Sequence, residues 1–328
     1  MVKQALEALA PGMESIYLAA DDSSTEVADS LTAAPAQSYL LPGAPRDAEW
    51  LVNTWRRASM LADQSRVGAV LVLDEIQKIP RWSDIVKGLW DADRAVGRKL
   101  HAVVLGSSPL LMQQGLTESL AGRYETIRMS HWSFLEMFQA FDLELDKFIY
   151  FGGYPGAVHD IGDEARWRDY IRDSLIAPNI DKDILMMTRV DKPALLKLLF
   201  NLGCELSGQT WSYNKMLGQL KDAGNTTTLA HYLGLLGDAG LLVGFQKYAG
   251  RAHRKRGSSP KLNVLNTALM SVASGYSFEQ AKADRTFWGR LVESAIGAHL
   301  QNTASSDTRV SYWRASPYEV DFVLERGR

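Results

Sequence analysis

The chain has 328 residues, 46% of them hydrophobic and 23% charged, with a formal net charge of -2. That length holds two or three domains, and the composition excludes collagen-like, disordered and coiled-coil classes. Near-neutrality excludes coating of nucleic acid by bulk charge, while the single cysteine, Cys204, excludes an intrachain disulfide framework and fits a reducing cytoplasm.

At the N-terminus Val2, Leu6 and Leu9 fall near helical spacing, and no apolar core of a secretory signal follows. Pro11 and Gly12 break the pattern before a short strand at Ser15 to Leu18. Apolar runs at Val67 to Leu73 and Ala102 to Leu105 predict two more strands, and Tyr124 to Met129 a weaker fourth. Helical material at Trp50 to Leu61 and Trp82 to Trp90 lies between them, and this alternation predicts an α/β fold with a parallel sheet covered on both faces.

From Trp132 to about Leu206 helical patterns dominate, with a tight turn at Gly152 to Gly156. Tyr213, Met216, Leu217 and Leu220 share one helical face, and Leu229, Tyr232, Leu233 and Leu236 repeat the spacing after the turn at Ala223 to Asn225. With Leu241 to Phe245 as a wing strand, the order is that of a winged helix. A helix at Arg285 to Gln301 and strands near Val310 to Trp313 and Glu319 to Leu324 complete the chain. No run reaches the roughly 20 apolar residues of a membrane span.

Val70-Leu71-Val72-Leu73-Asp74-Glu75 carries the strongest chemical signal, the Walker B pattern of four apolar strand residues ending in two carboxylates. A buried parallel strand delivers its C-terminal end to the ligand crevice. There Asp74 would hold magnesium and Glu75 would deprotonate an attacking water; the same ending also arises where acids merely cap a following helix. The next strand ends in Gly106-Ser107-Ser108, whose hydroxyls would hold water or a γ-phosphate, or simply make a hydroxyl-stabilised turn. Arg123, after Ser119 to Gly122, is either an arginine finger or a solvated surface residue.

Leu73-Asp74-Glu75-Ile76-Gln77-Lys78-Ile79-Pro80-Arg81-Trp82, Leu105 to Ser108, Ser119 to Arg123 and Gly152-Gly153-Tyr154-Pro155 resemble the prokaryotic AAA-type ATPases with a DUF4143 C-terminal region. The resemblance implies a P-loop ATPase core over 1–131, a helical lid or linker over 132–206, a winged helix over 207–257 and a nuclease-like domain over 258–328. It also implies ATP and magnesium as cofactors, with Asp74 on the metal, Glu75 as base, Ser107 or Ser108 sensing phosphate and Arg123 reaching phosphate. That family places a G-x-x-x-x-G-K-[ST] loop before the first helix, whereas no Gly-Lys-Ser or Gly-Lys-Thr occurs here. The expectation is therefore a fragment with little nucleotide binding of its own.

By the same resemblance Glu293 and Asp321 match the first acids of the nuclease-like pattern, without the E-x-K that would follow. Strict alternation puts Val320 and Phe322 on one face of their strand and Asp321 on the other. Arg251, Arg254, Lys255 and Arg256 form the one concentrated basic run, a DNA contact or solvated loop charge; a winged helix equally serves protein contacts. A non-catalytic DNA- or protein-binding module and a metal-dependent nuclease are thus the alternatives to an ATPase, with oligomerisation compatible with each.

Overall fold

The computed structural model describes residues 2–9, 11–21, 46–107, 112, 115, 116, 119–180, 190–220, 224–248 and 259–327. The chain divides into two compact units, Met1–Thr126 and Ile127–Arg328, where the sequence suggested four segments.

In the first unit, α1 (Val2–Glu7) precedes β1 (Glu14–Ala19), α2 (Ala48–Gln64), β2 (Ala69–Asp74), α3 (Trp82–Ala95) and β3 (Leu100–Val104). The three strands form a parallel sheet in the order β1-β2-β3, with Leu71 aligned to Ile16 on one side and Ala102 on the other. Parallel strands bury both faces, so the central strand has no use for alternation: Ala69 through Leu73 are all buried. Gly68 turns the chain into β2 at φ 99°, and a Cβ there would overlap the Lys99 carbonyl.

Helix α2 starts where the Asp47 side chain accepts the Glu49 and Trp50 amides at 3.0 Å. Its buried face carries Trp50, Leu51, Trp55 and Ala58, and Trp82 of α3 joins the same core, so these tryptophans are packing residues. A buried carboxylate joins the helices. Asp93 of α3 accepts Trp55 Nε1 at 2.7 Å and Ser59 Oγ at 3.1 Å, and Arg98 neutralises it.

The strand expected at Tyr124 to Met129 does not form. That segment spans the boundary between the units without regular structure, and Tyr124, Ile127 and Met129 are exposed. Apolar residues make a strand only where a neighbour supplies a ladder, and none of the described strands pairs there.

The second unit opens with short helices: α4 (Phe134–Phe141), α5 (Leu145–Phe151), a 3₁₀ turn at Pro155–Asp160, α6 (Glu164–Asp169) and a π-helical stretch, Tyr170–Ile176. Gly152 takes φ 73°, where a Cβ would overlap the Asn266 side chain, and Pro155 begins the 3₁₀ turn. The Gly152 to Gly156 run is thus a packed turn.

After α7 (Pro193–Glu205) come α8 (Tyr213–Gln219), α9 (Thr226–Asp238) and β4 (Leu242–Lys247), in the helix-turn-helix-strand order read from the sequence. Then follow β5 (Lys261–Val264), α10 (Thr267–Ser274), α11 (Phe278–Ala283), α12 (Arg285–Thr303), β6 (Thr308–Ala315) and β7 (Tyr318–Arg326). The strands make one sheet in the order β5-β4-β6-β7, so the wing strand and the C-terminal strands share a ladder across the boundary expected at 257. Among the described residues no helix is long and apolar enough to cross a membrane.

Candidate functional site

The C-terminal edge of the first sheet gathers the acids. Asp74 ends β2, and its carbonyl accepts the Ala20 amide at 2.8 Å. Just past the strands, Leu105 donates to Leu73 at 2.8 Å and Ile76 donates to Leu105 at 3.2 Å, which holds the two strand exits side by side. The chain turns sharply between them, with Glu75 in the left-handed region at φ 54° and ψ 32°. For a residue other than glycine such a conformation costs about 1–3 kcal/mol, and functional sites are where it concentrates.

This turn separates the two carboxylates. Asp74 stays with β1, its Oδ1 accepting the Glu75 amide at 2.9 Å and its Oδ2 accepting the Tyr17 hydroxyl. Burial, and then Asp74 itself, push the Tyr17 hydroxyl up to about 12, so it remains a donor. Glu75 instead faces β3: its Oε2 accepts Ser107 Oγ at 3.1 Å and Gln77 Nε2 at 2.9 Å, with Lys78 Nζ at 3.7 Å. Two hydrogen-bond donors thus fix this one carboxylate oxygen.

The donor set is all oxygen and suits magnesium, which binds through one or two carboxylates and keeps its waters. Asp74 spends two hydrogen bonds out of about four acceptor positions, so it can also take a cation. Among the described residues no group of three or more His, Cys, Asp or Glu assembles, so an ion here would rest on Asp74 with water and phosphate. The nearby cation is committed elsewhere, since Lys78 pairs with Asp21 at 2.8 Å, which raises its pKa.

Asp74, Glu75 and Ser107 are therefore brought together as their spacing suggested, while Ser108 lies outside the described residues. Arg123 is not turned toward them: its Nε and Nη2 grip Asp91 of α3 at 2.9 and 3.1 Å. Arg251, Arg254, Lys255 and Arg256 lie outside the described residues. Sequence reasoning missed Tyr17 and Gln77. Each had a signal, one on the strand aligned beside β2 and the other two positions past Glu75.

Glu293 and Asp321 also meet, around a residue the sequence reading passed over. Lys261 of β5 contacts the Glu293 carboxylate and sits 2.7 Å from Asp321 Oδ1. Between Ser311 and Trp313 the β6–β7 register shifts, so Asp321 and Phe322 together oppose Tyr312. This bulge overrides the expected alternation: Asp321 bonds Lys261, and the Phe322 ring also lies 4.8 Å from its ammonium.

Residues 1–138 match the family model described as "AAA domain", and residues 142–280 match "Domain of unknown function (DUF8612)". DUF4143, which the resemblance suggested for 258–328, is not the family matched: the second match is to DUF8612 and lies mostly ahead of that region. Uncharacterized proteins of Mycobacterium tuberculosis and Haemophilus influenzae are 25% and 26% identical, over 85% and 78% of this chain. The chain spans only 61% and 62% of the length of these relatives. A structure of the Aeropyrum pernix ORC1 protein in complex with DNA aligns over 88% of this chain and 82% of that one. At 13% identity and a TM-score of 0.28 that likeness is too loose to bear on fold or function. The parallel sheet with two acids and a serine at its C-terminal edge agrees with the match of residues 1–138 to the AAA domain model.

Proposed function

We propose that the first unit belongs to an ATPase and that Asp74, Glu75 and Ser107 are its hydrolytic edge. The observation that carries this reading is the Ser107–Glu75 hydrogen bond of 3.1 Å across the ends of adjacent parallel strands, beside Asp74. Asp74 would hold magnesium, which when bound neutralises phosphate charge. Glu75 would take the proton of the attacking water on Oε1 while Gln77 and Ser107 fix Oε2. Ser107 would also meet the terminal phosphate.

Phosphate affinity in such domains comes mainly from a glycine-rich loop and its lysine. No Gly-Lys-Ser or Gly-Lys-Thr occurs in these 328 residues, so they should bind magnesium-ATP weakly, and a form carrying such a loop ahead of α1 should bind it well. Calorimetry on both forms is the test. In the extended form Glu75→Gln should keep binding and lose turnover; equal hydrolysis by that variant would remove Glu75 as the base.

A second reading concerns the helix-turn-helix-strand order of α8, α9 and β4, which would serve a DNA or protein contact. Changing Arg254, Lys255 and Arg256 to alanine should flatten the slope of log K against log salt by about 2.7 if all three meet phosphates. An unchanged slope would favour a protein contact.

A further inference from the structure

The second unit holds a lysine where lysines are rarely found. The Lys261 side chain is only 5% exposed, at the start of a four-residue strand whose every residue is buried. Around it stand three residues from two elements: Glu293 from the middle of α12, and Asp321 and Phe322 from the bulge of β7. Asn263, on the same side of β5, is fully buried and donates to the Val264 and Ser294 carbonyls. Its Oδ1 has no hydrogen-bond partner among the described residues and lies against Gly297. This is a polar layer inside a core, and its charges are those of Lys261 and two carboxylates.

Two carboxylates from a helix and a strand, one half-buried and one 54% exposed, are chemically able to hold a divalent cation. The cation already present between them is an ammonium. It donates to Asp321 Oδ1 at 2.7 Å and to the Asp321 carbonyl at 3.5 Å, and the Glu293 carboxylate is in ion-pair contact with it. Phe322 lies close enough for a cation–π contact. A metal ion on both carboxylates would have to share this volume with a like charge that cannot withdraw into water.

We propose that Lys261 is the resident cation of the Glu293–Asp321 pair, a built-in substitute for a divalent metal that clasps β5, α12 and β7 together and leaves this unit without nuclease activity. Unlike the hydrolytic edge of the first unit, the site needs no ligand to be complete. It is also independent of ATP, so failure of either reading leaves the other standing.

The test is a titration of manganese into the whole chain, followed by electron paramagnetic resonance, beside Lys261→Met and Lys261→Met/Asp321→Asn. The wild-type chain should show no manganese site dependent on Asp321. Lys261→Met should bind at least about tenfold more tightly, and the added Asp321→Asn change should remove that gain. A folded Lys261→Met chain that gains no affinity would overturn the proposal, as would a wild-type site lost in Asp321→Asn. Should Lys261→Met not fold, amine acylation of the wild-type protein read by mass spectrometry decides. Protection of Lys261 unchanged by millimolar manganese supports the clasp, and exposure of Lys261 by manganese refutes it. Plasmid nicking by the wild type, lost in Glu293→Gln, would refute it too.

Discussion

The two units each bring a pair of carboxylates together and treat them in opposite ways. Asp74 and Glu75 are neighbours in sequence, and a left-handed turn separates them so that each faces a different strand. Glu293 and Asp321 come from distant elements and converge on one buried lysine. In the first pair the donors are mostly neutral groups, Tyr17, Gln77 and Ser107, which orient the acids without cancelling their charge. In the second, burial alone would drive the Glu293 carboxyl up, and Lys261 opposes that shift. An acid pair therefore becomes a site or a clasp according to whether its neighbours orient it or neutralise it.

The largest effect should come from the open pair. In a nucleotide-binding form, Glu75→Gln should lower single-turnover hydrolysis by about 10²–10⁴-fold while leaving nucleotide affinity within a factor of a few. Loss of affinity without loss of the chemical step would reverse the roles given to the two acids. Next comes the closed pair. Lys261→Ala should destabilise the second unit by about 3 kcal/mol, the lower end for breaking a buried ion pair because Asp321 is more than half exposed. Chemical denaturation measures it, and a change below about 1 kcal/mol would mean the lysine is not the clasp.

The contrast between the pairs was only half legible in the sequence. The parallel strands announced themselves because a doubly buried strand is a continuous apolar run, and Asp74 and Glu75 stood out as the charges that end it. Tyr124 to Met129 has apolar residues too, but whether a run pairs depends on a neighbour that local pattern does not reveal. Lys261 was invisible for a related reason. No strand was expected at Lys261 to Val264, and the burial of its lysine is decided by Glu293 and Asp321, which only the fold delivers. The bulge at Asp321 and Phe322 breaks the period of two on which any face assignment rests. Asp93 lies past the helix expected at Trp82 to Trp90, and its burial against Trp55, Ser59 and Arg98 is likewise decided by the fold.

A buried histidine extends the comparison, since His131 is oriented by neutral groups but lies inside a core. Its Nε2 donates to the Gly240 carbonyl at 2.7 Å, and its Nδ1 accepts from Asn266 Nδ2 at 3.3 Å. Asn266 cannot turn its amide over, because its Oδ1 already accepts the Gly153 and Ala268 amides at 3.3 and 3.2 Å. A proton on Nδ1 would therefore face another donor. Burial holds the imidazole below its ordinary value near 6.5, with the Gly240 carbonyl a smaller opposing influence. Since the folded pKa is lowered, the unfolded chain binds the proton first. The contribution of His131 is complete above about pH 6.5 and is lost as pH falls from there through the folded value. His131→Gln should cost about 1–3 kcal/mol at neutral pH and flatten that part of the pH dependence. An unchanged slope between pH 7 and 5 would mean that other groups set it.

The smallest effect is expected at Arg123, and it decides whether a charged pair at the surface belongs to the open site. The guanidinium holds Asp91 with two hydrogen bonds, one to each carboxylate oxygen, and the ion pair raises the pKa of Arg123 and lowers that of Asp91. Both groups are solvent-accessible, where water screens the pair and side-chain entropy offsets most of the attraction. Arg123→Ala should therefore leave the melting temperature almost unchanged. An arginine that reached transferring phosphate would instead take about 10³–10⁵-fold in turnover with it. If Asp91 is its working partner, Arg123→Ala and Asp91→Ala should each change hydrolysis in a nucleotide-binding form by less than about threefold. A loss confined to the arginine variant, with Asp91→Ala unaffected, would show that the guanidinium leaves Asp91 during turnover and would add it to the hydrolytic edge.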